Sequence, residues 1–187
     1  MKREDFKPGN MLYPLPAVMV SCGRAGEKPN ILTVAWAGTI CSDPAMVSIS
    51  VRPSRYSYDI IKETGEFVIN LVNDKLTFAT DYCGVKSGRD VDKFAEMKLT
   101  PFAMKNVSCP GIEESPLCIG CKVRDIVKLG THDMFIADVV SVSASGEYMD
   151  EKGRFDLNSS GLMVYSHGEY FRLGEKLGSF GYSVRKK

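Results

Sequence analysis

The chain is short of the residues and patterns on which most familiar site chemistries depend. Its 187 residues include two histidines, His132 and His167, and one tryptophan, Trp36. Two histidines cannot build a His-rich metal site. The sequence has no G-x-G-x-x-G loop and no Walker A loop, which excludes nucleotide binding of those two types. No nucleophile–base pair and no carboxylate pair stands out among the 23 acidic residues, which speaks against a hydrolase, and Glu113-Glu114 reads as solvated loop. Excess charge of one sign is missing too. Against those acids stand 24 basic residues, a net charge of +1, so neither nucleic acid nor a membrane surface is expected as a partner. No apolar run approaches the roughly 20 residues of a membrane span. The opening stretch MKREDFKPGN has no apolar core, so no secretory signal and a cytoplasmic location are expected. Repeats and low-complexity tracts are absent, which favours a single domain over 1–187 with its core at about 11–183. The basic tail Val184–Lys187 reads as a solvated terminus.

Six cysteines are present: Cys22, Cys41, Cys83, Cys109, Cys118 and Cys121. In a reducing compartment they make no disulfide framework. Cys118 and Cys121 spell C-x-x-C, but no second pair stands at metal-site spacing. Positions three apart on a regular strand face opposite ways, so the two read as structural thiols unless a bulge at Gly120 turns them together.

What the sequence does have is alternation. Strands are expected at Ala17–Gly23, Leu32–Thr39, Met46–Val51, Glu66–Leu71, Leu117–Leu129 and Met134–Ser143. A final hairpin, Leu162–Tyr165 with Tyr170–Leu173, flanks the turn signal SHGE, which leaves His167 exposed at its tip. Helical signals are fewer. Ser54 is placed to cap RYSYDIIKETG, with Gly65 as its stop. Asn73 or Asp74 is placed to cap KLTFATDYCG, and DVDKFAEMKL gives a third short helix. Many strands with few helices imply an antiparallel barrel or sandwich, because helices do not alternate with strands as a parallel sheet requires.

Within Asn30–Ser57 the alternation carries a chemical hint. If Leu32–Ile40 is one strand, Leu32, Val34, Trp36 and Ile40 share a packing face. The other face holds Thr33, Ala35, Ala37, Thr39 and then Cys41, all small. Such a face leaves the backbone open to a flat ring, or equally to a closely packed helix. Cys41, at its end, is either a thiol beside a bound ring or a small buried hydrophobe. The next strand sets Val47, Ile49 and Val51 on one side and Ser48, Ser50 and Arg52 on the other. Hydroxyls and a guanidinium followed by Arg55 and a helix N-terminus suit an anion. A shallow ring site thus runs into an anion site, the shape of a flat heterocycle joined by a short chain to a phosphate.

The stretch NILTVAWAGTICSDPAMVSISVRPSRYSYDII resembles the flavoredoxin branch of the flavin reductase-like family. CGVKSGRDVDKF, GTHDMFIADVV and HGEYFRLGEKLGSFGYS resemble the same family in the same order. The resemblance implies a mainly β protein, a Greek-key split β-barrel with a few short peripheral helices. It further implies a homodimer, non-covalent FMN near the subunit interface, and NADH or NADPH as hydride donor. Asn30, Thr33, Ala35, Trp36, Gly38 and Thr39 would then lie near the isoalloxazine, although the face pattern alone turns Trp36 away from it. Ser50, Val51, Arg52 and Ser57 would hold the ribityl phosphate. Ser87 and Arg89 would form a second anion-side loop ahead of the packing residue Phe94. His132 would line the nicotinamide side, and Tyr170 and Lys176 would approach the flavin from the partner subunit. The missing catalytic pair agrees with this, because a flavin carries its own chemistry. Electrons would pass to free flavin, ferric iron or a redox protein. Two other readings remain: an FMN electron carrier with no nicotinamide cleft, and a flavin-free barrel acting as an interaction or storage module. FAD in place of FMN is a further variant, though a strand ending at a phosphate site suits FMN better.

Overall fold

The structure, a computed structural model, describes residues 2–185. In chain order the strands are β1 (Leu15–Pro16), β2 (Val18–Cys22), β3 (Asn30–Val34), β4 (Ala37–Ser42), β5 (Ala45–Val51), β6 (Glu66–Leu71), β7 (Pro101–Phe102), β8 (Gly111–Ile112), β9 (Leu117–Lys128), β10 (Asp133–Ala144), β11 (Met163–Ser166) and β12 (Glu169–Arg172). Helix α1 spans Tyr56–Thr64, α2 Thr77–Val85 and α3 Lys93–Glu96. Seven strands form one antiparallel sheet in the order β3-β2-β6-β9-β10-β5-β4. Small sheets β1-β11-β12 and β7-β8 flank it.

The chain connectivity forces this sheet to roll up. Strands β3 and β4 lie at its two opposite edges, yet only Ala35 and Trp36 separate them. Three Cα steps reach at most about 11 Å, whereas six strand spacings in a flat sheet amount to roughly 29 Å. The edges must therefore meet, and β3 comes against β5 across the closure. No ladder bonds β3 to β4, so the result is a barrel with an open seam, a split barrel.

The seam also breaks the expected Leu32–Thr39 strand in two. Ala35 and Trp36 form a bend, fixed by the Ala37 N–H on the Ala35 carbonyl (3.0 Å) and the Ser50 N–H on the Trp36 carbonyl (2.8 Å). The single alternating face is lost there. Leu32 and Val34 pack into the barrel core before the bend, and Ala37 packs against it afterwards. Trp36 and Ile40, expected on the packing face, are 38% and 47% exposed. Elsewhere alternation reads true: Val47, Ile49 and Val51 are buried, with Ser48 and Ser50 only half-buried.

Two apolar cores flank the sheet. Inside the barrel, Val20, Ile49, Phe67 and Phe135 pack with Ile60 and Ile61 of α1. On the outer face, Met19, Ile31 and Ile112 pack against Leu76, Cys83 and Phe94 of the α2–α3 region. β2 feeds both cores from alternate positions, which is why its pattern is apolar almost throughout. α1 ends at Gly65 in the left-handed conformation (φ 69°), with its N–H on the Ile61 carbonyl. Its start differs from expectation. Arg55, not Ser54, stands at the N-cap, and no side chain caps the first turn. Asp92 does cap α3, accepting from the Ala95 N–H at 3.1 Å. The stretch after Asn73 begins as a 3₁₀ turn, Asp74–Leu76, before α2.

Cys118 and Cys121 diverge as a regular strand dictates. Cys121 lies in the barrel core, and Cys118 in a small cluster with Val68, Met104 and Cys109. The extra residue of the nearby bulge is Val140 on β10, not Gly120. Burial pushes the Cys121 thiol up to about 12, which keeps it protonated and unreactive. No helix among the described residues is long and apolar enough to cross a membrane. No group of three or more His, Cys, Asp or Glu side chains among them could hold a metal ion.

Candidate functional site

The seam opens into a cavity of about 640 Å³. Leu32–Trp36 wall one side, Ser50, Val51 and Arg52 another, and Thr131 and His132 a third. Asp81, Gly84 and Val85 of α2, with Tyr165 and Tyr170 of the β11–β12 hairpin, complete it. A second chamber of about 230 Å³ adjoins it, sharing Leu32, Arg52 and Arg55.

The larger chamber carries the features a flat ligand needs. β3 is paired on one side only, so every second residue turns its N–H and C=O away from β2. Beside that free edge the side chains are small or tied back: Thr33 donates its hydroxyl to the Thr80 carbonyl, and Ala35 has little to offer. Gly84 of α2 lies against Thr33, where a Cβ would come within 3.2 Å of the Thr33 Cβ. The wall opposite is aromatic. Trp36 and His132 are parallel, 2° between planes and 6.1 Å between centroids. The bend after Val34 is what brings Trp36 there, against its expected orientation.

Two bonds hold His132. Arg52 Nε donates to its Nε2 at 3.4 Å, and Thr131 Oγ1 lies 3.0 Å from its Nδ1. A neutral ring with its proton on Nδ1 satisfies both contacts. Partial burial, then the charges of Arg52 and Arg55, hold the His132 pKa below its ordinary value, which favours that neutral form.

The smaller chamber is cationic, lined by Arg52, Arg55, Lys86, Arg89 and Lys93 with no carboxylate. The uncapped first turn of α1 faces it through Arg55, Tyr56 and Ser57. Unpaired N–H groups at a helix start and a positive dipole end both favour an anion. Asn30 Nδ2 donates to Ser57 Oγ at 2.7 Å and ties β3 to α1. The Ser87–Arg89 loop folds over this pair. Arg89 lies over the Tyr56 ring, 5.3 Å from its centroid, and Nη1 reaches the Ser54 carbonyl at 3.4 Å. Lys93 is 3% exposed and donates to the Ile31 and Cys83 carbonyls, both at 2.7 Å. Burial lowers its pKa.

The fold thus gathers most of the residues singled out in the sequence. Thr33, Ala35, Trp36, Ser50, Val51, Arg52, His132 and Tyr170 line the larger chamber. Asn30, Arg52, Ser57, Ser87 and Arg89 line the smaller. Gly38, Thr39 and Cys41 lie on β4 outside both, and Lys176 is exposed beyond β12. Lys86, Lys93, Thr131 and Asp81 are lining residues that the sequence did not single out. Lys93 carried no signal, since an apolar run around it would have been needed to mark its burial. Lys86 sat beside the motif residue Ser87 and could have been included.

These chambers fit FMN on this structure's own terms. One end supplies cationic and N–H donors for a phosphate, and the other offers a free strand edge under small side chains for a planar ring.

Comparison with known proteins agrees. Residues 11–174 match the family described as Flavin reductase like domain. An uncharacterized protein of Archaeoglobus fulgidus is 31% identical over 171 residues, 91% of this chain and 94% of its own. The flavoredoxin of Desulfovibrio vulgaris (Miyazaki F) superposes with a TM-score of 0.90 at 28% identity, over 98% of this chain and 100% of that one. Flavoredoxin from Methanosarcina acetivorans gives 0.86 at 25% identity with the same coverage.

Proposed function

The chain belongs to the flavin reductase-like family, on its flavoredoxin branch, and on that footing we propose that it is an FMN-binding oxidoreductase using NADH or NADPH. When bound, FMN would supply the redox chemistry, accepting a hydride from the nicotinamide and releasing electrons to free flavin, ferric iron or a redox protein. One observation carries the reading: a cationic chamber opens directly into a ring-sized chamber at the barrel seam.

The chain's own residues would bind, orient and shield. Arg52, Arg55, Lys86 and Arg89, with the first turn of α1, would hold the phosphate. The free edge of β3 would read the polar rim of the ring. Thr33, Ala35 and Gly84 let it approach, and Trp36 and His132 would close the opposite side against water. Neutral His132 keeps a hydrogen on Nδ1 and leaves Nε2 as an acceptor.

A homodimer is part of the proposal. Beyond β12 the chain runs exposed and without regular structure up to a 3₁₀ turn at Tyr182–Val184, with Leu177 at 95% and Phe180 at 105% of full exposure. A second copy covering this arm would bury those side chains and bring Lys176 to a neighbouring site.

Purified protein should be yellow, with a flavin spectrum. Arg52→Ala should lose FMN at least tenfold more readily, as removal of a charge-assisted contact predicts. Unchanged retention would remove Arg52 from the phosphate site. A second reading, an electron carrier without nicotinamide turnover, is favoured by the full-length likeness to two flavoredoxins. Anaerobic mixing separates the two: NADH or NADPH bleaches a reductase within seconds and leaves a carrier oxidised.

A further inference from the structure

Every cation of the smaller chamber but one is exposed. Arg52, Arg55, Lys86 and Arg89 reach solvent, whereas Lys93 of α3 is 3% exposed. Its Nζ donates to two carbonyls, that of Ile31 on β3 and that of Cys83 in the last turn of α2, both at 2.7 Å. A neutral amine keeps two N–H groups, as many as those carbonyls need. The tie between α2 and β3 therefore survives loss of the proton. The third hydrogen exists only on the ammonium, and it has no acceptor among the described residues.

This buried amine also lacks a counter-ion. No carboxylate among the described residues forms an ion pair with it. Asp92, next to it, is committed to Lys28 and to the Ala95 N–H, and Glu96 of the same helix accepts from Tyr82. The groups facing it from other elements are Cys22 of β2, Cys83 of α2 and the Arg55 guanidinium. Arg52, Lys86 and Arg89 share its chamber. Burial pushes both thiols up to about 11, so neither offers a negative charge near neutral pH. Burial lowers the Lys93 pKa, and the Arg55 charge acts in the same direction.

We infer that Lys93 couples phosphate binding to proton uptake: an anion in the smaller chamber supplies the missing counter-charge and accepts the third N–H, so the site grips FMN through a proton that Nζ takes from solvent. No electron moves in this step. The inference rests on the reading of the smaller chamber as the phosphate site.

The test is equilibrium binding without turnover. The full chain, freed of flavin, is titrated with oxidised FMN by calorimetry, in buffers of different ionisation heat, from about pH 8 to about pH 10. The phosphate is a dianion throughout this range, so any proton taken up comes to rest on the protein. The wild type should take up about half a proton or more per FMN at the maximum, as expected where a nearby opposite charge raises a pKa by about one unit or more. Its FMN affinity should fall at least threefold from about pH 8 to about pH 10. Lys93→Arg keeps a cation that does not titrate, and should bind FMN without this uptake. Lys93→Met, which keeps the stem, should lose the uptake too. Ionisation of the flavin ring is common to all three proteins and cancels. No uptake by the wild type, or unchanged uptake in either variant, overturns the inference. Should the variants fail to fold, ¹⁵N-lysine spectra of the wild type decide: one side-chain amine with a midpoint below the ordinary lysine value must rise when FMN is added, and its absence overturns the inference. Failure of the wild type to bind FMN at all would instead overturn the proposed function, and this inference with it.

Discussion

Gly88 has no space for a β-carbon. A Cβ there would fall 2.0 Å from Asn30 Oδ1 and 2.9 Å from Tyr56 Cδ1. Asn30 is 4% exposed and bonded to Ser57, so it cannot swing aside. Gly88→Ala should therefore push the Ser87–Arg89 loop off the anion chamber. The expected result is a loss of FMN affinity of at least tenfold, with a stability cost of about 1–3 kcal/mol, measured by flavin titration and urea unfolding. His132 offers a second test at this scale. Its pKa is held low first by burial and then by Arg52 and Arg55, with Thr131 and Trp36 as its other neighbours. A histidine with a lowered folded pKa contributes stability above its unfolded pKa, and loses it as pH falls toward the folded value. Arg52→Ala should raise the His132 pKa in an NMR titration; a fall would contradict the assignment. Individual residues were legible where type and position agreed. Ser50 and Arg52 follow from strand alternation, and Ser57 from the family resemblance. Gly88 and Lys93 were not, because their roles exist only once distant segments fold onto Asn30 and Ile31.

At the scale of elements, α1 is fastened to β10, the strand that follows His132. Tyr58 Oη donates to Asp133 Oδ2 at 2.6 Å, with both residues buried. Tyr58→Phe leaves the Asp133 carboxylate without this partner, and should cost about 1–3 kcal/mol in urea unfolding. Since α1 carries Ser57 and the strand follows His132, the variant should also loosen FMN more than it changes secondary structure. Strands were read well where each has two neighbours of its own sheet. Glu66–Leu71 falls where expected, and β9 and β10 are placed within a residue at each end. The reading failed at Leu32–Thr39, which serves both edges of a closed sheet and must bend between them. Periodicity over eight residues has no means of registering a barrel closure. The same bend explains why Trp36, assigned to the packing face, stands in the site instead.

For the whole molecule, the split barrel was legible from many short strands, few helices and the family resemblance. Closure at Ala35-Trp36 is a property of topology and needed the pairing order. The exposed arm beyond β12 belongs to this scale as well. If a second copy covers it, the double variant Leu177→Asp/Phe180→Asp should run as a monomer in light scattering while the wild type runs as a dimer. A wild-type monomer would count against the dimer.

The hinge-like bend between the first and last ribbons of the cylinder has one more consequence. A ligand lodged in that slit touches one margin of the ladder at Leu32–Val34 and the ribbon next to the other margin at Ser50 and Val51, and so acts as a rivet across the gap that backbone bonding leaves unstitched. Loading riboflavin phosphate should then slow amide exchange in Asn30–Val34 and in Ala45–Val51 together, although five rungs of sheet separate them by the long way round.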